Sequence, residues 1–386
     1  MLTSIDWRLV FLINVVLAAI TIAMTLKSTP DYEREAGATR IDWAGTVTFG
    51  LGIAALVFGL SQGQEAGWSD PVTLIPLAGS AVLLAVFVAI EMRVQNPLLE
   101  FQLFRRLNFL ASNVSQMLAG AIELGIGFLM PYYLLLVVGY DPAVAGLALI
   151  PGTIPIILAG PLAGRAFDRV GGRIPLAAGF IVLAASGAAL ALAAGEQAIL
   201  PLMPGLLLQG IGLGVVLTVN DPTGLSAVPA ESRGQAAGTI NTTEQLGGAI
   251  GIAGLTGVEL GSVGAGTESR LEANGIDPTP VQIERFREFI LEAEQSGLRD
   301  APGRNRPLVE RALNDSADAH VAAFEDVFLI SAGIALLGAL ACLVLVRKTD
   351  RTPGPVFGRR SRWVYADVGT SPVLTRHAPP GEGRGR

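Results

Sequence analysis

Long apolar runs separated by short polar segments dominate the chain. Nine of these runs come close to the ~20 residues that a helix needs to cross a bilayer. They cover residues 8–26, 43–62, 71–91, 108–137, 143–163, 174–194, 199–219, 237–261 and 324–346. Because every backbone amide in hydrocarbon must find its partner within its own segment, each run is predicted to be a helix. The pattern therefore predicts an all-α polytopic membrane protein with nine transmembrane helices.

The composition agrees with a membrane protein. Hydrophobic residues make up 51% of the chain and charged residues 16%, whereas a soluble domain carries about 25% charge. The 47 glycines suit helices that approach one another closely in a membrane. Within the eighth run, Gly247, Gly251, Gly254 and Gly257 have the spacing for such a contact. A single cysteine and two distant histidines predict neither a disulfide framework nor a metal cluster, and no cofactor is expected.

Basic residues are distributed unevenly between alternate loops. The segment after the first run contains Lys27, Arg34 and Arg40, and the segment after the third contains Arg93, Arg105 and Arg106. Arg165, Arg169 and Arg173 follow the fifth run, and Arg233 follows the seventh. The segment after the last run contains Arg347, Lys348 and Arg351. The short segments 63–70, 138–142 and 195–198 contain no lysine or arginine. The positive-inside rule therefore places the odd-numbered loops and the C-terminal tail in the cytoplasm. We expect a multi-pass protein of the plasma membrane, and the bias toward arginine and alanine suggests a bacterial source.

Two longer polar segments flank the ninth run. Residues 262–323 are predicted to form an extracellular loop, in which residues 279–295 have the pattern of an amphipathic helix. Thr279 can cap that helix, and Pro280 suits its first turn. Residues 347–386 are rich in proline, glycine and arginine and are predicted to be a disordered cytoplasmic tail.

A short charged segment, residues 164–173, connects the fifth and sixth runs. It contains Gly164, Asp168, Arg169, Gly171 and Arg173, and an acid and arginines so confined can pair with one another or cap helix ends. The spacing resembles the cytoplasmic loop signature of the major facilitator superfamily, G-x-x-x-D-R-x-G-x-R. In that superfamily the loop is thought to act as a latch while the transporter rocks. An ordinary basic loop that obeys the positive-inside rule is the alternative.

Other segments resemble, in the same order, the fourteen-helix drug:proton antiporter branch of that superfamily. They are residues 7–16 for its sixth helix, 41–56 for the seventh, 96–109 for the loop before the ninth, 146–173 for the tenth and its loop, 206–216 for the twelfth and 241–253 for the thirteenth. The resemblance implies a major facilitator-like helix bundle. Residues 1–26 would hold the last helix of the N-terminal half, 27–41 a cytoplasmic loop, 42–92 two linker helices, and 93–261 with 324–346 the C-terminal half.

No segment resembles the first five helices of that family. The chain is therefore expected to be the C-terminal portion of a longer transporter, and a natural nine-helix protein is the alternative. Such a portion could work with a separately encoded N-terminal half or as a homo-oligomer. It could also be an inactive, scaffold-like remnant.

The resemblance also implies a function, namely secondary active export of amphipathic drugs or small metabolites in exchange for protons. The expected partners are the lipid bilayer, a small-molecule substrate and protons, with no nucleic acid. A membrane enzyme would need a His, Cys or Ser–base cluster at a membrane face, and the sequence offers none, so no enzyme activity is expected. The pattern GIGLG at 210–214 looks like a phosphate-binding loop, but it lies inside a transmembrane run and follows no strand.

Glu123 is the strongest candidate for a proton-coupling residue. It lies about 15 residues into the fourth run, roughly 22 Å along a helix and therefore near the bilayer midplane. A charged carboxylate there costs roughly 2.5–3.5 kcal/mol, so the group would be protonated when shielded and would ionise when water or a cation reaches it. Asn113, Gln116 and Gly120 share its helix face, which predicts that this face lines a cavity. A permanently protonated, hydrogen-bonded acid is the alternative.

The seventh and eighth runs carry a second group of polar residues. Gln209 lies in the middle of the seventh run, and the eighth contains Asn241, Glu244 and Gln245. These side chains could line a cavity together with Asn113 and Gln116, or the amides could simply pack against each other. Relatives often have a basic residue where Glu244 stands, and pairing with Arg233 or contact with water is the favoured interpretation for this carboxylate.

Overall fold

The computed structural model of the chain describes residues 8–28, 42–65, 67–94, 97, 99–273 and 306–347; within these ranges it leaves out the side chains of 8–11, 64–65, 264–273 and 306–317. All regular structure in the described residues is helical. Ten α-helices are described: α1 (Arg8–Ser28), α2 (Trp43–Glu65), α3 (Pro71–Glu91), α4 (Leu107–Tyr132), α5 (Pro142–Ala148), α6 (Ile150–Val170), α7 (Arg173–Ala194), α8 (Ile199–Leu225), α9 (Arg233–Ala273) and α10 (Arg306–Leu345). Short 3₁₀ helices, Phe101–Arg105 and Ala230–Ser232, precede α4 and α9.

The predicted transmembrane runs coincide with these helices. Eight described segments are long and apolar enough to cross a membrane, among them Leu107–Val137, Ile199–Leu225 and Asp318–Leu345. The first predicted run lies in α1, whose described apolar stretch, Leu12–Ser28, is shorter than the others. The all-α polytopic prediction is confirmed, with eight full-length spans in the described residues where the sequence predicted nine.

The fifth predicted run is interrupted near its start. Helix α5 ends at Ala148, and α6 begins at Ile150 after the single residue Leu149. Pro151 follows at once, and proline has no N–H to donate to the carbonyl four residues earlier. The remaining prolines of the run, Pro155 and Pro161, lie inside α6 without ending it.

Six membrane spans pack into one bundle with a continuous apolar core. Helix α4 packs mainly against α9, α7 lies between α8 and α10, and α6 packs against α8. Most of the buried hydrophobic residues of α4, α7, α8 and α10 belong to a single cluster. Helices α2 and α3 pack against each other, and every described side chain of α1 is exposed. Exposed apolar side chains on such helices suit contact with lipid.

Small residues bring the backbones of α4 and α9 together. A methyl group built on Gly247 would collide with the carbonyl oxygen of Met117, and one built on Gly251 would collide with that of Ala121. Such contacts with backbone atoms cannot be relieved by rotating a side chain. The close approach predicted from the glycine spacing of the eighth run is therefore confirmed at these two positions.

The other two glycines of that spacing do not contribute to the contact. No described heavy atom lies within 4 Å of a methyl group built on Gly254 or on Gly257. For these two residues the prediction of helix contact is wrong. Spacing along one helix cannot show where a neighbouring helix turns away, because that depends on the crossing angle between the two axes.

Tyr133 joins three helices at one end of the bundle. It begins a π-helical turn, Tyr133–Val137, that continues α4. Its buried hydroxyl donates a hydrogen bond to the carbonyl oxygen of Ala194 at the end of α7, over 2.6 Å. The ring packs edge-on against Phe324 of α10, with 5.1 Å between ring centroids and 78° between ring planes. An aromatic side chain with a polar tip suits a position where a carbonyl needs a donor.

Tyr133→Phe is expected to destabilise the protein by about 1 kcal/mol, a typical value for a hydrogen bond between membrane helices. The ring and its aromatic contacts remain in the variant, so the loss of stability measures the contribution of the hydroxyl group alone. Thermal unfolding of the purified protein measures the change. Tyr132→Phe is the matched control, because Tyr132 is 50% exposed. Equal stability of the two variants would show that the bond to Ala194 contributes nothing.

Several predicted features lie outside the described residues. They are the amphipathic helix predicted at 279–295, most of the cytoplasmic loop predicted at 27–41 and nearly all of the tail predicted at 347–386. The backbones of α9 and α10 are described to Ala273 and from Arg306.

Candidate functional site

Seven polar side chains lie together where α4, α8 and α9 meet; hydrogen bonds connect five of them, and the other two, Asn113 and Thr243, form a bonded pair beside them. We call this group the polar network; it consists of Ser112, Asn113, Ser115, Gln116, Asn220, Thr243 and Glu244. Asn220 is fully buried, and Gln116 retains only 3% of its exposure. Because unsatisfied polar groups are costly in a membrane interior, such a group is stable only when its members satisfy one another.

Asn220 is the centre of the polar network. Its side-chain amide donates to the carbonyl oxygen of Ser112 over 3.1 Å and to Oε1 of Gln116 over 2.5 Å. Its side-chain oxygen accepts from the hydroxyl of Ser115, and its backbone carbonyl accepts from the hydroxyl of Ser112 over 2.9 Å. These four bonds fix α8 against the first half of α4.

Gln116 extends the network from α8 to α9. While its carbonyl oxygen accepts from Asn220, its amide nitrogen donates to Oε2 of Glu244. One turn away, Thr243 donates to Oδ1 of Asn113 over 2.9 Å. The described structure thus gives Glu244 a partner on α4, where the sequence favoured Arg233 or water.

Glu123 lies at the centre of its membrane span. The span runs from Leu107 to Val137, so 16 residues separate Glu123 from one end and 14 from the other. Its Oε2 atom is buried, and no described group donates to it or accepts from it. Glu244 is close enough to interact with it electrostatically. We call Glu123 and Glu244 the carboxyl pair; within it, Oε2 of Glu123 has no described partner.

Gln209, Asn241 and Gln245 do not join the polar network. Gln209 is half-buried on α8, whereas Asn241 and Gln245 are exposed on α9. Asn241 donates back to the carbonyl of Ala237 on its own helix, over 3.2 Å. Of the six side chains predicted to line a cavity, the structure brings together only Asn113, Gln116 and Glu244.

Sequence reasoning missed Asn220, Ser112, Ser115 and Thr243. The predicted seventh run stops at residue 219, just before Asn220, Asp221 and Pro222, yet α8 continues to Leu225. Prolines and polar residues are tolerated in membrane helices when neighbouring side chains satisfy the backbone. The signal for the two serines was available, since Ser112, Ser115 and Gln116 share a face with i, i+3 and i+4 spacing.

The charged segment at 164–173 is mostly helical. Helix α6 continues through Gly164, Asp168 and Arg169 to Val170, and α7 begins at Arg173. The sequence-predicted loop is therefore reduced to Gly171 and Gly172. Gly171 has a positive φ of 76°, which favours glycine, and its N–H closes α6 on the carbonyl of Phe167 over 2.8 Å. The side chains of Asp168, Arg169 and Arg173 are exposed.

These features define a multi-pass membrane protein with a buried polar network and a carboxyl pair inside its helix bundle. Comparison with known families identifies the class, because residues 1–252 match the family model of the Major Facilitator Superfamily. The chain belongs to this superfamily, which consists of transport proteins and not of enzymes.

Individual relatives are bacterial proteins named for drug resistance or antibiotic export. Over 365 residues, 95% of this chain and 64% of the relative, the chain is 31% identical to the multidrug resistance protein Stp of Mycobacterium tuberculosis. It is 32% identical to the cephamycin export protein CmcT of Amycolatopsis lactamdurans, over 70% of the chain and 56% of the relative. It is 29% identical to a probable actinorhodin transporter of Streptomyces coelicolor, over 67% of the chain and 46% of the relative. The chain thus spans about half to two thirds of the length of these relatives.

Proposed function

We propose that this chain contributes to secondary active export of amphipathic small molecules in exchange for protons, with Glu123 as the proton-exchanging group. The observation that carries the proposal is the pair of carboxyl groups in the bundle. Glu123 lies at the middle of its span with a buried oxygen that has no described partner. Glu244, near it, accepts a hydrogen bond from Gln116.

The two acids have different surroundings in the bundle. Two neighbouring carboxylates cannot both ionise at low cost. Glu244 accepts a hydrogen bond from Gln116, whereas Oε2 of Glu123 has no described partner. A proton bound to Glu123 could then be lost when water or a cationic substrate reaches it, and a titratable group in a transporter span is a functional candidate on physical grounds.

The names of the relatives support the substrate class. Stp is named a multidrug resistance protein and CmcT a cephamycin export protein. A bundle that exports such molecules needs a site near the midplane and a second half facing it. We assign α4–α10 to one such half and α2–α3 to linker helices.

The orientation follows from the basic residues. We assign the odd-numbered loops and the C-terminal tail to the cytoplasm, because the arginines and lysines concentrate there. In this orientation the turn between α6 and α7, with Asp168, Arg169 and Arg173 beside it, lies on the cytoplasmic side. Its exposed charges are then available to act as a latch against the facing half.

Gene deletion in the native host tests the proposal without assumptions about the facing half. The deletion strain should accumulate more of a fluorescent amphipathic cation such as ethidium than the parent strain. Re-expression from the native locus should reverse the difference. A protonophore should remove it, because export then has no proton gradient to use.

Two results would contradict the proposal in different ways. A difference in accumulation that survives the protonophore would exclude proton coupling but leave export intact. Equal accumulation in both strains, for ethidium and for a panel of neutral and anionic antibiotics, would favour a scaffold without transport.

A further inference from the structure

Three arginines line a cleft of about 340 Å³ at one end of the bundle. The cleft lies between the start of α4, the segment that follows α8 and the residues that follow α10. Its lining residues are Arg105, Arg106, Leu107, Asn108, Ala227 and Arg347. It is distant along α4 from the carboxyl pair, since Arg106 and Glu123 are separated by more than four helical turns.

Hydrogen bonds hold the walls of the cleft together. The side chain of Asn108 donates to the carbonyl oxygen of Arg347 over 3.1 Å and accepts from its N–H over 2.7 Å. Arg106 donates from Nη1 to the carbonyl oxygen of Ala227 over 2.8 Å. The ends of α4, α8 and α10 are therefore tied together, and the cleft exists before any ligand binds.

The cleft carries an uncompensated positive charge. Within the described part of the chain, none of the three guanidinium groups has a carboxylate within ion-pair distance. The first turn of α4 adds to this charge, because Arg106 occupies its N-cap position without a side-chain cap and free amides at a helix start attract anions. Guanidinium groups bind phosphate oxygens in a forked, bidentate geometry.

We propose that this arginine cleft binds the phosphate of an anionic phospholipid headgroup. The position of the cleft favours a lipid over a soluble phosphate. Its walls are the ends of membrane spans, since one span begins at Leu107 and another ends at Leu345. The cleft is therefore at headgroup level, on the side that the basic loops place in the cytoplasm. Basic pockets between membrane helices on that side suit anionic headgroups. The inference does not depend on the proposed transport activity.

Native mass spectrometry of the purified full chain tests the proposal. The chain should retain phosphatidylglycerol but not diacylglycerol, which has the same tails and no phosphate. Arg105→Gln combined with Arg347→Gln should weaken phosphatidylglycerol binding about 30-fold, from the loss of two cationic side chains near the headgroups. Arg93→Gln combined with Arg165→Gln is the matched control, because both are exposed arginines outside the cleft. The control should bind as the unchanged protein does.

Two further measurements keep the test decisive. If the cleft variant does not fold, Arg105→Lys combined with Arg347→Lys retains the charge but not the forked donors. This lysine variant should bind phosphatidylglycerol more weakly than the unchanged protein does, but its binding should not be abolished. Inorganic phosphate is added separately, and its effect on the thermal unfolding of the unchanged chain is measured.

The outcomes separate the possible ligands. Selective weakening in the cleft variant, with no stabilisation by inorganic phosphate, supports a lipid site. Stabilisation by inorganic phosphate without retention of phosphatidylglycerol would overturn the lipid assignment in favour of a soluble anion. Equal phosphatidylglycerol binding by the cleft variant and its control would overturn the site altogether.

Discussion

Gly247→Val combined with Gly251→Val is expected to abolish the packing of α4 against α9 and with it the folded bundle. Both side chains would be driven into backbone carbonyl oxygens of α4, those of Met117 and Ala121. Overpacking a well-packed interior costs roughly 1–3 kcal/mol at each site. The cost here should reach or exceed the upper value, because backbone atoms cannot move aside independently.

Gly254→Val combined with Gly257→Val provides the control on the same helix. Open space surrounds these two positions in the described structure, so the same chemical change should leave the bundle folded. Size-exclusion chromatography in detergent and thermal unfolding distinguish the two proteins. Equal stability of the two double variants would show that the α4–α9 contact is not essential to the fold.

Glu123→Gln is expected to reduce proton-driven export to the level of the deletion strain. Glutamine keeps the size of the side chain and its capacity for hydrogen bonds, but it cannot exchange a proton. The polar network should survive, because none of its hydrogen bonds involves Glu123. The variant is introduced at the native locus, and ethidium accumulation and drug susceptibility are measured with matched expression.

Glu196→Gln is the control for this prediction. Glu196 is exposed in the turn between α7 and α8, so its replacement should leave export unchanged. Retained proton-driven export in Glu123→Gln would exclude Glu123 from coupling and would favour a permanently protonated structural acid. Loss of export together with loss of folding would be recognised by thermal unfolding of the purified variant, and Glu123→Asp would then test the role with a shorter acid.

The sequence predicts the helices well because the bilayer leaves a chain few alternatives. An apolar run of sufficient length must satisfy its own backbone, so the run and the helix coincide. The break at Leu149 and the extension of α8 through Pro222 show where this rule is incomplete. Pro151 directly follows a break in the helix, whereas Pro222 lies inside α8 without ending it. The effect of a proline depends on what the neighbouring helices offer.

The candidate site is less predictable, because it depends on the register between helices. The face shared by Asn113, Gln116 and Glu123 follows from their spacing on α4. That Gln116 donates to Glu244 and accepts from Asn220 requires knowledge of how far α8 and α9 are shifted along α4. The glycines of α9 show the same limit, since four have similar spacing and only Gly247 and Gly251 contact α4.

The four hydrogen bonds of Asn220 have a mechanical consequence. Sliding α8 along α4 would break several of them together, and hydrocarbon offers no water to replace the lost partners. Bending is easier at Leu149, where the backbone ladder between α5 and α6 is already interrupted. We therefore expect α4, α8 and α9 to turn as one stiff unit, while flexing of the bundle is concentrated at the joint between α5 and α6.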